Sequence, residues 1–335
     1  MIRIAVDAMG GDHAPSSIID GALAAARHLN LGLVLTGPFG VIRAELARHS
    51  DADELDVRIL DAPDVVGMEE SPAAALRRKS RTSIRRAAEA VASGDAAALV
   101  SAGHTGATVM AAHAAFGMLP SVDRPALAAT IPSGDRLGIL LDVGANADCR
   151  APHLLQFAVM GSVYAKVSLG IEQPRIGLLS IGEEEGKGNE LIRDAHQLLK
   201  SSALNFIGNV EAREVYKGSA DVIVCDGFTG NIALKASEGL VDTVERLLSE
   251  ELSRTFSGMV GSLLSRRAFR RFRRRLDYSE YGGAPLLGVG AVCIVGHGRS
   301  SAKAVRNAVA MAHRFAAAGF IQRVEAEIAA ASVRR

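Results

Sequence analysis

The chain has 335 residues, 38 Lys plus Arg against 37 Asp plus Glu, 48% hydrophobic residues, 34 glycines and no tryptophan, a balance that buries a large core and excludes a disordered tail protein. A formal net charge of +1 excludes a chain-wide basic surface for nucleic acid. Three dispersed cysteines (Cys149, Cys225, Cys293) with no CxxC pair argue against a disulfide framework or a cysteine-rich zinc site and point to a reducing, cytoplasmic setting.

Residues 1–7 alternate like a strand and lack the apolar run and cleavage site of a signal peptide. From there, short apolar runs ending in Gly, Asp, Asn or Ser alternate with longer segments of helical period, the rhythm of βαβ units. The spacing predicts strands at 2–6, 31–35, 57–60, 97–100, 127–131, 138–141, 176–181, 205–207, 222–224 and 292–295. Helices are predicted over 16–29, 83–92, 105–116, 153–169, 189–200, 231–251 and 302–319. The class is α/β, read as one catalytic unit over 1–335, and no apolar run reaches the roughly 18 residues of a spanning helix.

Six apolar runs discharge into glycine-containing polar turns: Asp7, Gly10, Gly11 and Asp12; Ser101, Gly103, His104, Thr105 and Gly106; Asp142, Gly144 and Asn146; Gly186, Lys187, Gly188 and Asn189; Asp226, Gly227, Thr229, Gly230 and Asn231; and Gly282 with Gly283. Loops at carboxyl ends of strands converge on the ligand crevice of an open α/β sheet, and glycine lets backbone N–H groups close on an anion, so phosphate is the natural ligand. The plainer alternative is that such turns need Gly for positive φ and Asp, Asn, Ser or Thr for capping. No GxGxxG and no GxxxxGK[ST] occurs, so a nucleotide cofactor is not expected. Neither GxSxG nor HExxH occurs, which leaves serine-hydrolase and zinc-peptidase chemistry without support, and no metal or other cofactor is expected.

Lysine is rare, seven against 31 arginines, so Lys187 inside a glycine turn and Lys235 one helical turn after Asn231 are candidate oxyanion partners. His104 is a candidate proton donor, while His13, Cys149 and Cys225 read as capping or packed residues. The stretch 252–276 carries eight arginines and no acidic residue, interleaved with apolar side chains at helical spacing. Met259, Leu263, Leu264, Arg266, Arg267, Arg270 and Arg271 therefore form a candidate contact for an anionic membrane or an acidic protein, with a solvated helical face as the alternative.

The ordered string of turns resembles the bacterial phosphate acyltransferase (PlsX) family. The resemblance is carried by 4–15 (Ile-Ala-Val-Asp-Ala-Met-Gly-Gly-Asp-His-Ala-Pro), the turn 101–107, 123–127, 141–146, 153–164, 187–190 (Lys-Gly-Asn-Glu), 206–211, 226–231 (Asp-Gly-Phe-Thr-Gly-Asn) and 281–285 (Tyr-Gly-Gly-Ala-Pro). His104 stands where the family usually has Asn. The resemblance implies a three-layer Rossmann-like fold akin to the phosphotransacetylases and the isocitrate/isopropylmalate dehydrogenases. It also implies a homodimer and peripheral membrane association near a downstream glycerol-3-phosphate acyltransferase. The implied reaction is transfer of an acyl group from acyl-[acyl-carrier protein] to inorganic phosphate; independently, the turns offer donors and a lysine for phosphate and no catalytic nucleophile is apparent, which fits direct attack of phosphate on the thioester. Phosphate would sit among Gly10, Gly11, Gly103, Gly106, Thr229, Gly230 and Asn231, with Lys187 neutralising charge and Asn146, Asn189 or His104 serving the oxyanion or the leaving thiolate. The competing readings are a phosphotransacetylase of short acyl-CoA and a non-catalytic membrane scaffold.

Overall fold

The computed structural model describes residues 1–269 and 282–333. The strands β1 (Arg3–Asp7), β2 (Gly32–Gly37), β3 (Val57–Asp61), β4 (Ala98–Ser101), β5 (Ala126–Ser133), β6 (Arg136–Leu141), β7 (Ile176–Ser180), β8 (Phe206–Glu211), β9 (Val222–Val224), β10 (Ala284–Leu287) and β11 (Val292–Val295) form an 11-stranded sheet in the order β3-β2-β1-β4-β11-β10-β5-β6-β9-β7-β8. The protein is thus mixed α/β around one large sheet. Two parallel blocks, β3-β2-β1-β4-β11 and β6-β9-β7-β8, are joined through β10 and β5; because β10 is antiparallel to β11 and β5, and β5 to β6, the blocks run in opposite directions.

Strand residues alternate between two apolar clusters, one on each face. Ile4, Val6, Leu33, Leu35, Ile139, Leu141, Val222 and Val224 pack in the first with α1 (Ser16–Leu29), α6 (Ala151–Leu169), α10 (Ala302–Ala317) and α11 (Phe320–Val333). Ala5, Val34, Leu140 and Ile223 pack in the second with α4 (Ser83–Ala92) and α5 (Thr105–Phe116). Burial on both faces explains why these strands read as continuous apolar runs. Helix α4 shows how the pattern sets a helix: Thr82 Oγ1 accepts the Arg85 N–H at 3.3 Å, and Ile84, Ala87, Ala88 and Val91 line the buried side.

The helices α2 (Phe39–Leu46), α3 (Pro72–Arg78) and α11 and the strand β10 go beyond the sequence reading. Strand β10 is four residues long and contains Pro285, which ordinarily demotes a run to an edge, yet it lies inside the sheet. In the basic run at 77–81 on and after α3, Lys79 and Arg78 pair with Glu70 at 2.6 and 3.2 Å and Arg81 with Asp61 at 2.8 Å. Helix α7 (Glu190–Lys200) begins as expected, whereas α8 (Gly227–Ser253) starts four residues earlier than its periodicity indicated, because Asp226 caps it.

Candidate active site

The six glycine turns do not meet at one end of the sheet. Since the two blocks run oppositely, their carboxyl ends form two groups, one after β6, β9 and β7 and one after β1 and β4.

In the first group the buried Asp142 carboxylate accepts five N–H bonds. They come from Leu127 (3.0 Å), Gly144 (3.1 Å), Ala145 (2.9 Å), the Asn146 main chain (2.8 Å) and Asn146 Nδ2 (2.8 Å). Burial pushes its pKa up, and those donors oppose the shift by favouring the charged form. The second Asn146 Nδ2 hydrogen goes to Pro125 O at 2.6 Å, so both amide donors are spent inside the turn. The α8 N-terminus lies against this turn: Gly227 N–H donates to Asn146 O at 2.8 Å, and a Cβ on Gly230 would run into Asp142 O and stand 2.8 Å from Cys225 Sγ. Only glycine fits there. Asp226 caps the helix, accepting from Thr229 N at 2.9 Å and from Thr229 Oγ1 at 2.7 Å, so the Thr229 hydroxyl proton is committed too. The Asn231 side chain projects over Gly144, whose φ is +137°, with Cγ 3.7 Å from where a Cβ on that glycine would be. Asn231 is exposed, as are its apolar neighbours Phe228 and Ile232.

Lys187 follows β7, the strand paired with β9, and therefore lies at this same end. It is exposed, and its stem lies across Gly182, where a Cβ would be 2.9 Å from Lys187 Cγ. Of the adjacent glutamates, Glu183 pairs with Arg213 (3.8 Å) and Glu185 with Lys200 (2.8 Å), while Glu184 Oε2 lies over Gly182 beside the lysine stem. Asn189 caps α7, its Oδ1 accepting the Ile192 N–H at 3.0 Å.

In the second group Asp7 is buried, and burial raises its pKa against hydrogen bonds that include Ser101. Ser101 Oγ donates to Asp7 Oδ2 at 2.8 Å and accepts the Gly103 N–H at 3.1 Å, so the pair is internal to the turns. Gly10 lets the β1 turn touch the β4 turn: a Cβ there would lie 2.7 Å from Gly103 N. Gly11, at φ +107°, lies below Gly298 O, and the Asp12 N–H donates to Gly298 O at 2.7 Å. His104 caps α5, its Nδ1 accepting the Gly106 N–H at 3.1 Å beside Thr105; this leaves the proton of the neutral ring on Nε2. A cap at this position is the service an Asn side chain would give. Gly283, at φ +99°, packs against Val295 O.

Lys235 reaches out from α8 to Glu238 (2.9 Å) and to His297 Nε2 (3.2 Å), and so connects the two groups. The sequence reading passed over His297. Its turn, Gly296-His297-Gly298-Arg299, follows the apolar run of β11 and carries the same signal as the six turns that were singled out.

No described cysteine is poised as a nucleophile. Burial, then the Asp142 charge, pushes the Cys149 thiol up to about 11; the same causes drive Cys225 well above its usual value; burial takes Cys293 to about 12. All three are protonated at neutral pH, and only a thiolate attacks.

Away from the turns, α8 runs 27 residues, about 40 Å at 1.5 Å per residue, and leads into α9 (Phe256–Leu264). Leu240, Val244, Leu247 and Leu248 form an exposed stripe, and Phe256, Met259, Leu263 and Leu264 are 79%, 51%, 69% and 81% exposed. Arg266 and Arg267 follow, also exposed, while Arg270 and Arg271 lie outside the described residues. No helix among the described residues is long and apolar enough to cross a membrane.

The architecture matches a phosphotransacetylase from Streptococcus pyogenes, with a TM-score of 0.67 at 18% identity over 95% of this chain and 94% of that one. It also matches a branched-chain phosphotransacylase from Enterococcus faecalis, with a TM-score of 0.58 at 14% identity over 94% and 99%. These likenesses define the fold as that of the phosphotransacetylases. Residues 2–323 match the family described as fatty acid synthesis protein, and a phosphate acyltransferase from Acidobacterium capsulatum is 50% identical over 98% of this chain and 97% of its own. The chain belongs to this phosphate acyltransferase family.

Proposed function

We propose that the protein makes acyl-phosphate from acyl-[acyl-carrier protein] and inorganic phosphate, for fatty acid and phospholipid synthesis, by direct attack of a phosphate oxygen on the thioester carbonyl. It is an acyltransferase by family membership. The observation that carries the direct route is the pairing of exposed donors at Lys187 and Asn231 with thiols that are all protonated at neutral pH. As the C–O bond forms and the C–S bond breaks, the phosphate proton passes to the leaving pantetheine sulfur, so no covalent enzyme intermediate is required. Lys187 neutralises the phosphate, Asn231 or Asn189 faces the carbonyl oxygen, and His104 Nε2–H is the candidate donor from the second group. Asn146, with both donors spent, orients the Asp142 turn. Exposed Phe228 and Ile232 supply apolar surface beside these donors for the acyl chain. Phosphate-dependent loss of the acyl-carrier-protein thioester, with acyl-phosphate trapped by hydroxylamine, is the expected result. Turnover of acetyl-CoA with indifference to carrier protein would establish a phosphotransacetylase instead.

The single unit over 1–335 and its Rossmann-like description rest on the one sheet that takes strands from both ends of the chain and on its two parallel blocks. The α8–α9 arm is proposed as the contact for an anionic bilayer, the carrier protein or the second copy of a homodimer, and the basic 252–276 segment favours the first two. Replacing Arg254, Arg266 and Arg267 with Ser should reduce flotation with anionic liposomes. Retained flotation would remove the lipid role, and an unchanged KM for carrier protein would remove the other.

A further inference from the structure

Two side chains of β8 meet one ring of α7. Phe206 packs edge-on against His196 with ring centroids 5.1 Å apart, and Asn209 Oδ1 lies 2.9 Å from His196 Nδ1. In a regular strand, residues three apart point to opposite faces. Here the ladder skips one residue: Ile176 pairs with Phe206 and Gly177 with Gly208, which passes over Ile207 and turns Asn209 to the α7 side. Gly208, at φ +100°, supplies the backbone conformation for the skip. Irregularities of this kind re-aim side chains beside functional sites.

Asn209 is aimed at the turn that carries Lys187. Its Nδ2 donates to Glu184 O at 2.9 Å, and the Lys187 N–H donates to the same oxygen at 3.0 Å. A carbonyl oxygen has two lone pairs and accepts both, so one atom joins a buried amide of β8 to the main chain of the lysine. With Nδ2 donating, Oδ1 faces the ring and can only accept, which places a proton on His196 Nδ1. Asn209 and His196 are both buried, where a hydrogen bond is stronger and a broken one costs more. Further ties of the turn lie at the surface. The Glu185 carboxylate accepts from Gln197 Nε2 and Lys200 Nζ, each at 2.8 Å, and Gly188 O accepts from Arg193 Nη1 at 2.7 Å. Exposed contacts of charged side chains such as these hold a backbone weakly.

We infer that Asn209, braced by His196, is a positioning residue for Lys187: it fixes the Glu184 carbonyl, which fixes the lysine's main chain and so the place from which the ammonium meets its anion. This deepens the acyltransferase reading and rests on it and on the part given there to Lys187.

The test is a double-mutant cycle in steady-state kinetics on the full-length protein, with acyl-[acyl-carrier protein] and inorganic phosphate as substrates. Asn209→Asp keeps the shape and the acceptor facing His196 but removes the donor to Glu184 O. It should lower kcat about tenfold and leave the KM for the acyl thioester within about twofold. In a Lys187→Ala background the same change should cost less than about twofold, because a group that acts through the lysine has nothing left to act on. A residue that only supports the fold lowers activity by the same factor in both backgrounds. That outcome overturns the proposal, as does an unchanged kcat for Asn209→Asp. Asn209→Ala, which adds no charge, should match Asn209→Asp in both backgrounds, and full activity in this variant also overturns the proposal. Failure of both variants to fold in a thermal melt does so too, since the residue would then serve the whole fold rather than one turn. If Lys187→Ala keeps wild-type turnover, the reading of Lys187 fails by itself. Hydrogen exchange at the Lys187 amide then decides the hold on the turn separately: Asn209→Asp should speed it about tenfold or more, and equal rates in wild type and variant overturn it.

Discussion

Lys187→Ala lowers turnover about 100-fold, the scale seen when one charge-stabilising group is removed from a developing oxyanion, and leaves thermal stability unchanged. Both halves of the expectation come from the same observation. The lysine is exposed, and Glu183 and Glu185 pair with Arg213 and Lys200, so its loss leaves those ion pairs intact. An exposed substitution of this kind ordinarily changes stability by no more than about 0.5 kcal/mol. The ammonium is meanwhile the one cation in the turn that follows β7, where a dianionic nucleophile must approach a carbonyl whose oxygen is itself gaining charge. Steady-state kinetics beside a thermal melt checks this. A drop of threefold or less, about 0.6 kcal/mol of barrier, would show that Lys187 takes no part in the chemistry.

Asp142→Ala should cost about 4 kcal/mol of folding stability, the sum left when buried donors that lose their acceptor are partly relieved by water and relaxation. Five N–H groups point at one carboxylate, and each buried donor left unsatisfied costs about 1–3 kcal/mol, so even substantial relief from entering water leaves a large deficit. Burial of the charge works in the other direction and raises the pKa. Asp142→Asn separates the two effects. If the carboxylate is ionised among its five donors, the amide NH2 opposes them and Asn is nearly as harmful as Ala. A mild Asn variant would mean that the native group carries a proton. Urea unfolding with an unchanged slope measures both, and a loss below about 1 kcal/mol for Ala would refute the assignment of Asp142 as organiser of the turn.

Much of this was legible in the sequence because the strands are buried on both faces. Runs such as 138–141 and 222–224 announce themselves, and the polar turns that follow them are conspicuous by contrast. Local signals failed where a neighbour decides the outcome. Pro285 hid β10, whose place between β11 and β5 is set by tertiary pairing. The antiparallel β5–β6 pair reverses the second block relative to the first, which is why turns of identical chemistry fall into two groups, and no periodicity reveals it. The list of turns was therefore sound as a list of polar turns but silent about which side chains remain available. Asn146, Ser101 and Thr229 have committed donors, a matter of hydrogen-bond accounting that only coordinates supply. His104, read from the sequence as a candidate proton donor, spends its Nδ1 on capping α5.

Among the described residues the sheet is open, so β3 and β8 each leave one row of main-chain N–H and C=O groups without a neighbouring strand. Such borders invite pairing with another molecule's strand. On β3, Arg58 and Asp61 are exposed, and Asp61 is held by Arg81 at 2.8 Å and by the Phe39 N–H at 3.0 Å. On β8 the ladder slips: Ile176 pairs with Phe206 but Gly177 with Gly208, which skips Ile207, and Gly208 adopts φ +100°. A charged border and an irregular one give an incoming strand no continuous template, so the open sheet resists edge-to-edge pairing without closing into a barrel.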